Sequence, residues 1–127
     1  MKKEAKIWFG LAESDFQDGL LLWKSRRYSG AVFFFQQAVE KILKAYIVEK
    51  KEKVPLKTHR IELLITEAGL NTKEIENPKV EELSKAYIRV RYPDLNRQYY
   101  TSYEKVEPLL VIAKKVYLWV KNKLMNQ

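Results

Sequence analysis

A row of polar side chains in the second quarter of the chain has the spacing of a binding surface on a helix. Gln37, Glu40, Lys41 and Lys44 are three or four residues apart, so on a helix they share one side. The lysines could bind phosphate there. Alternatively, Glu40 and Lys44 form an i,i+4 ion pair that needs no ligand. Gln37 stands among strongly apolar residues, and if it is buried it needs a hydrogen-bond partner.

A second group of polar residues combines arginines with tyrosines. It reads Tyr87-Ile88-Arg89-Val90-Arg91-Tyr92-Pro93-Asp94, and Arg97, Tyr99, Tyr100 and Tyr103 follow. Arginine pairs with phosphate in a planar, two-pronged geometry, and tyrosine rings stack on bases. The alternative is that Tyr87 and Tyr92 are core or interface residues and that Arg91 pairs with an acid such as Glu40.

Other chemistry finds little support in the residue types. His59 is the one histidine and there is no cysteine, so no ligand set has the spacing of a zinc site. No glycine-rich phosphate loop or nucleophile turn occurs. The carboxylate pairs Asp15–Asp18 and Glu81–Glu82 are expected on solvated helix faces. We therefore predict no catalytic residue, no metal site and no cofactor.

The chain is basic, with a formal net charge of +8. The excess is concentrated in residues 40–60, which carry seven basic and three acidic side chains, and in residues 89–127, which carry eight and three. Such an excess favours anionic partners through long-range attraction, although it can also serve solubility alone. No apolar run approaches the length of a membrane span, and no signal peptide is apparent. We expect a cytoplasmic protein without a membrane partner.

These residues must be positioned by helices, because apolar residues recur along the chain at steps of three and four. We predict one all-α domain over residues 1–127, an up-and-down antiparallel bundle of about five helices. Thr58 is the expected N-cap of the third helix and Gly69 its C-cap, while residues 92–102 are expected to form a loop. The predicted helices span residues 3–26, about 28 or 30 to 50, about 59–68, 79–90 and 103–124.

The two polar groups, taken in order with their neighbours, resemble the HEPN family, named for nucleotide binding in higher eukaryotes and prokaryotes. The resemblance begins with Trp8, Ala12, Asp15 and Phe16, and it covers most of the chain. Tyr28 and Ala31 precede the most specific pieces. Those are Gln37-Ala38-x-Glu40-Lys41-x-Leu43-Lys44-Ala45, Thr58-His59 with Leu63-Leu64, and Arg91-Tyr92-Pro93-Asp94.

The resemblance implies a helical bundle that forms homodimers and works beside a minimal nucleotidyltransferase, often as toxin and antitoxin. Many HEPN toxins are metal-independent ribonucleases that use an Arg-x(4–6)-His motif, in which arginine holds the phosphate and histidine moves a proton. In this chain no histidine follows His59, so Arg89, Arg91 and Arg97 lack that partner.

The leading hypothesis is therefore a non-catalytic HEPN module that binds nucleotide or RNA phosphate. Its ligand-binding residues would be Gln37, Lys41, Lys44, His59, Arg91 and Tyr92, and Glu40, Pro93 and Asp94 would shape the motif. One alternative is a degenerate HEPN ribonuclease, and another is a pure dimerisation or interaction domain. The resemblance also allows a tyrosine to accept a nucleotidyl group from the partner, but the residues do not indicate which of the eight it is.

Overall fold

The computed structural model describes residues 1–126, and over that range it is all helical, as the sequence predicts. The short segment Thr72–Ile75 is a 3₁₀ turn between the third and fourth helices. The six α-helices of the described range are α1 Lys3–Lys24, α2 Tyr28–Lys51, α3 Ile61–Glu67, α4 Glu81–Arg89, α5 Pro93–Tyr99 and α6 Tyr103–Met125.

The helix α2 is the centre of the bundle, because it is apolar around most of its circumference. Half of its 24 residues are buried, and it packs against α1, α3, α4 and α6. A helix with this pattern stabilises the fold through burial on several faces at once. Its fully buried apolar residues are Ala31, Val32, Phe35, Ala38, Val39, Ile42, Leu43, Ala45 and Ile47.

The long helix α1 runs antiparallel to both of the other long helices. Against α2, the Lys2 backbone N–H donates to Glu49 at 2.7 Å near one end. Against α6, Trp23 lies 4.8 Å from Tyr103, between ring centroids. Because α1 opposes both, α2 and α6 run parallel, and residues 52–102 form the return connection that carries the short helices.

A small polar cluster joins α1 to α6. Tyr117 donates a hydrogen bond to Glu13, and the Lys121 ammonium lies 2.7 Å from the same carboxylate. Burial alone would raise the pKa of Glu13, but the bonds from Lys121 and Tyr117 outweigh it and lower that pKa. Burial and the bond to Glu13 raise the pKa of Tyr117. Both shifts favour the charged carboxylate and the neutral phenol.

Two local predictions are wrong. Residues 93–99 form α5 rather than loop, because Pro93 takes the first helical position, where its missing N–H matters least. Thr58 does not cap α3: its hydroxyl accepts from the Arg60 N–H, and Ser84 Oγ accepts the Ile61 N–H at 2.8 Å. Gly69 follows α3 with a φ of +68°, as a helix terminator requires.

Among the described helices, none combines the length and the apolar character that crossing a bilayer would need.

Candidate functional site

The centre of the candidate site is the buried carboxylate of Glu40 on α2, which is 4% exposed. Three donors surround it: the Gln36 amide at 3.1 Å, the Lys44 ammonium at 2.9 Å and His59 Nδ1 at 3.0 Å. Gln36, Glu40 and Lys44 share one face because they are four residues apart. The two oxygens of Glu40 are thereby paired despite their burial, which is what makes a buried carboxylate tolerable.

Gln36 fixes the loop before α3 onto α2. Its side chain is fully buried, and its amide nitrogen also donates to the His59 carbonyl at 3.1 Å. Its amide oxygen accepts from Gln37 at 2.6 Å. His59 is therefore held at both its backbone and its ring, and the ring orientation is set by Glu40. Because a carboxylate only accepts, Nδ1 carries the proton and Nε2 is left for other contacts.

A three-layer stack connects His59 to Arg91. The imidazole lies 3.6 Å from the Tyr87 ring, centroid to centroid, with 12° between the planes. The Arg91 guanidinium carbon lies 3.7 Å from the same Tyr87 centroid. Two groups this close to one centroid must occupy opposite faces of the ring. Tyr87, at the end of α4, is thus enclosed between an imidazole and a guanidinium.

Arg91 is held in place but directed towards solvent. Its Nη1 donates to the Tyr87 carbonyl at 3.1 Å, and the residue is exposed. Within residues 1–126 no carboxylate lies at ion-pair distance from its guanidinium. The expected alternative, a pair between Arg91 and Glu40, is therefore wrong. A stacked guanidinium without an acid partner retains its capacity to bind an anion.

The residues after Arg91 begin α5. Tyr92 is 55% exposed, and Pro93 and Asp94 are exposed in the first turn. The Asn96 amide donates to the Val90 carbonyl at 2.8 Å and ties α5 to the end of α4. A shallow depression of about 350 Å³ lies here, lined by Val90, Arg91, Pro93, Asn96 and Arg97.

The residues of the predicted polar row on α2 do not form one exposed surface. Lys41 points to α1, where its ammonium lies 2.6 Å from Asp15. Asp15 is only 9% exposed, so its expected place on a solvated face is wrong. Lys44 is 7% exposed, with its charge paired to Glu40 and its ammonium 5.2 Å from the Trp8 ring centroid. Of the six predicted ligand-binding residues, only His59, Arg91 and Tyr92 are exposed.

Comparison with known proteins agrees with this architecture. The HEPN domain matches residues 5–123, nearly the whole chain. The chain belongs to the HEPN domain family. The crystal structure of TT1696 from Thermus thermophilus is similar, with a TM-score of 0.73 and 26% identity over 96% of this chain and 99% of that one. No curated protein matches this sequence.

Three important residues of this HEPN domain were not among the predicted site residues. Gln36, rather than Gln37, is the buried glutamine, and its i,i+4 spacing to Glu40 could have indicated this. Asp15 offers no local signal, because its partner Lys41 is on another helix. Tyr87 stood in the arginine–tyrosine segment, but its contact with His59 joins residues 28 positions apart.

No group of three histidine or acidic side chains in residues 1–126 lies close enough to hold a metal ion.

Proposed function

We propose that this chain is a non-catalytic HEPN module that binds the phosphate of a nucleotide or of RNA at Arg91. The observation that carries the proposal is the Arg91 guanidinium, stacked at 3.7 Å on Tyr87 and without a carboxylate partner among the described residues. Stacking restricts the rotamers of arginine before a ligand arrives, so less entropy is lost on binding. Phosphate oxygens match the two-pronged donor geometry of the guanidinium.

The surroundings of Arg91 support the same ligand class. Arg97 is exposed and lines the same depression as Arg91, and Tyr92, the next residue after Arg91, is also exposed. A second cation increases the attraction for phosphate, and an exposed ring can stack on a base. The net charge of +8 would draw anions towards the whole domain. Gln37, Lys41 and Lys44 would support the site without touching the ligand, because their polar groups bond to other side chains of the protein.

A thermal-shift panel of mononucleotides and short single-stranded RNAs tests this proposal. We expect at least one ligand to raise the melting temperature, and the shift to disappear in Arg91→Ala. Arg27→Ala is the matched control: it removes the same charge at the start of α2 and should keep the shift. The binding proposal is wrong if no ligand produces a shift, or if both variants lose it equally.

We also propose, from the family, that the domain forms a homodimer and acts with a minimal nucleotidyltransferase in a toxin–antitoxin-like pair. The neighbouring reading frame and co-purification of its product would test the partnership. Size-exclusion chromatography would test the dimer. If Arg91→Ala and Tyr92→Ala give monomers without changing the nucleotide response, the motif serves assembly rather than binding.

One observation favours a second candidate function, a metal-independent ribonuclease. The Nδ1 atom of His59 bonds to a buried carboxylate, an arrangement that orients the histidine base of catalytic triads. His59 and Arg91 also stack on the same ring, that of Tyr87. The Nε2 atom would take the proton of a ribose 2′-hydroxyl as that oxygen bonds to phosphorus. The bond from phosphorus to the 5′ oxygen would break, and the same proton would pass to that oxygen.

This second candidate predicts a 2′,3′-cyclic phosphate and a 5′-hydroxyl as products, with Arg91 stabilising the phosphate charge. Purified protein incubated with RNA and a chelator tests it, with His59→Ala as the matched variant. Cleavage that persists with chelator and disappears in His59→Ala would establish the enzyme. RNA that stays intact under all conditions would rule this candidate out.

A further inference from the structure

A groove at the end of the bundle lies beside His59. It is enclosed by the N-terminal end of α1, the C-terminal end of α2 and the segment 52–59, and its volume is about 810 Å³. Cavities that hold small organic ligands in proteins measure roughly 300–1,000 Å³. The depression at Arg91 has a different lining, so the groove is a separate feature of the surface.

Apolar side chains form much of the groove wall. Trp8 lies half-buried on α1, and on the segment 52–59 Val54 is 82% exposed and Leu56 is 50% exposed. These two aliphatic side chains lie close together in the chain and are open to water. An apolar group that covered them would be bound favourably, because it would remove their surface from water. An indole and two aliphatic side chains that line one groove favour a flat apolar group.

One lysine of the groove, Lys57, offers an unpaired positive charge to an anionic ligand. The charged side chains that line it are Lys2, Lys44, Lys53 and Lys57, with Glu4 and Glu52. Lys2, Lys44 and Lys53 already pair with Glu52, Glu40 and Glu67. Lys57 has no carboxylate within ion-pair distance among residues 1–126, so its ammonium is available to a ligand. A second copy that met this groove with its own groove is a poor occupant, because it would bring two unpaired Lys57 ammonium groups together.

We propose that this groove binds a small amphipathic organic anion. Its flat apolar body would lie against Trp8, Val54 and Leu56, and its carboxylate would pair with Lys57. His59 also lines the groove, and its Nε2 is the ring nitrogen left free by Glu40. The inference goes beyond phosphate binding at Arg91 and does not depend on it.

An NMR titration with naphthalene-2-carboxylate tests the proposal. We expect saturable shifts of the Trp8 indole N–H and of the Val54 and Leu56 amides. The neutral naphthalene-2-carboxamide should bind more weakly, and 2-naphthylmethylammonium more weakly still. One exposed charge pair changes affinity by roughly 1.4- to 5-fold. The carboxylate gains this effect and the ammonium loses it, so these two probes should differ in affinity by at least about twofold. No saturable shift, or equal affinity for all three probes, overturns the proposal.

Charge reversal locates the anion within the groove. Lys57→Glu should reverse the order of the carboxylate and the ammonium probe. Lys114→Glu is the matched control on exposed α6 surface and should leave the order unchanged. Val54→Asp should weaken binding of the carboxylate probe, because it places a second negative charge in the groove wall. The fold should tolerate this change, because Val54 is 82% exposed.

Failure of this proposal is distinguishable from failure of phosphate binding. Arg91→Ala should leave the affinity for naphthalene-2-carboxylate within about twofold of the wild-type value. If Arg91→Ala abolishes naphthoate binding, the probe occupies the phosphate site and the groove is not its site. If Lys57→Glu and Lys114→Glu act alike, long-range charge explains the binding and the proposal is wrong.

Discussion

Glu40→Gln should destabilise this HEPN domain strongly, because it leaves the Lys44 ammonium buried without a counter-charge. The two groups lie 2.9 Å apart, with side chains only 5% and 9% exposed. Removing one partner of a buried pair costs about 3–5 kcal/mol. For 127 residues, an unfolding entropy of about 2.1 cal/mol/K per residue converts this to a melting temperature lower by roughly 11–19 °C.

The double variant Glu40→Gln/Lys44→Met separates the stranded charge from the other contacts of Glu40. Methionine matches the length of the lysine stem without its charge, and the amide oxygen introduced at position 40 can still accept from Gln36 or His59. Replacing a buried ion pair by uncharged groups of similar volume often changes the free energy of unfolding little. We therefore expect the double variant to recover most of the lost free energy of unfolding.

Guanidinium denaturation followed by circular dichroism measures all four proteins of this cycle. We expect the double variant to be more stable than the sum of the single effects by at least about 2 kcal/mol. The reasoning is refuted if Glu40→Gln costs under about 1 kcal/mol, or if the two single effects simply add.

Two further changes test other parts of the fold. Gly19→Ala should lower the free energy of unfolding by about 1–3 kcal/mol, because its Cβ would lie 2.7 Å from two atoms of the Phe35 ring. In Gly10→Ala the added Cβ has no neighbour within 4 Å, so this variant should raise the free energy of unfolding by about 0.5–1 kcal/mol. Chemical denaturation of both variants measures these changes, and equal effects would contradict the prediction. Because the pKa of Glu13 is lowered from 4.5 in the folded state, its contribution is present above that pH and is lost as pH falls through the folded value. Thermal melts of wild type and Glu13→Gln should thus converge below about pH 4.5, and a pH-independent difference would refute the role given to Tyr117 and Lys121.

The sequence predicts the framework of the bundle because local periodicity carries that information. The apolar positions of α2 indicated its place at the centre, and Gly69 marked the end of α3. Residues 92–102 have no helical period, so α5 is missed; its tie to the Val90 carbonyl through Asn96 is a tertiary contact. The cap of α3 from Ser84 is likewise invisible to local rules.

The candidate site is predictable only where its contacts are local. The pair of Glu40 and Lys44 follows from i,i+4 spacing. The bond from His59 to Glu40 spans 19 residues, and the stack of His59 on Tyr87 spans 28. Such contacts depend on how α2, α4 and the loop between α2 and α3 pack, which composition and spacing do not determine. The resemblance to the HEPN family indicated Arg91 and His59 but not the ring that joins them.

The arginine Nε–Hε resonance of Arg91 reports most directly on the central proposal, phosphate binding at this guanidinium. Its ¹H–¹⁵N signal, assigned with Arg91→Lys, would be followed during titration with ATP and with a short single-stranded RNA. We predict a saturable shift for Arg91 and none for Arg27. Arg91→Lys should weaken binding, because lysine keeps the charge but loses the planar donors. An Arg91 signal that stays unmoved while either ligand binds elsewhere would contradict the proposal.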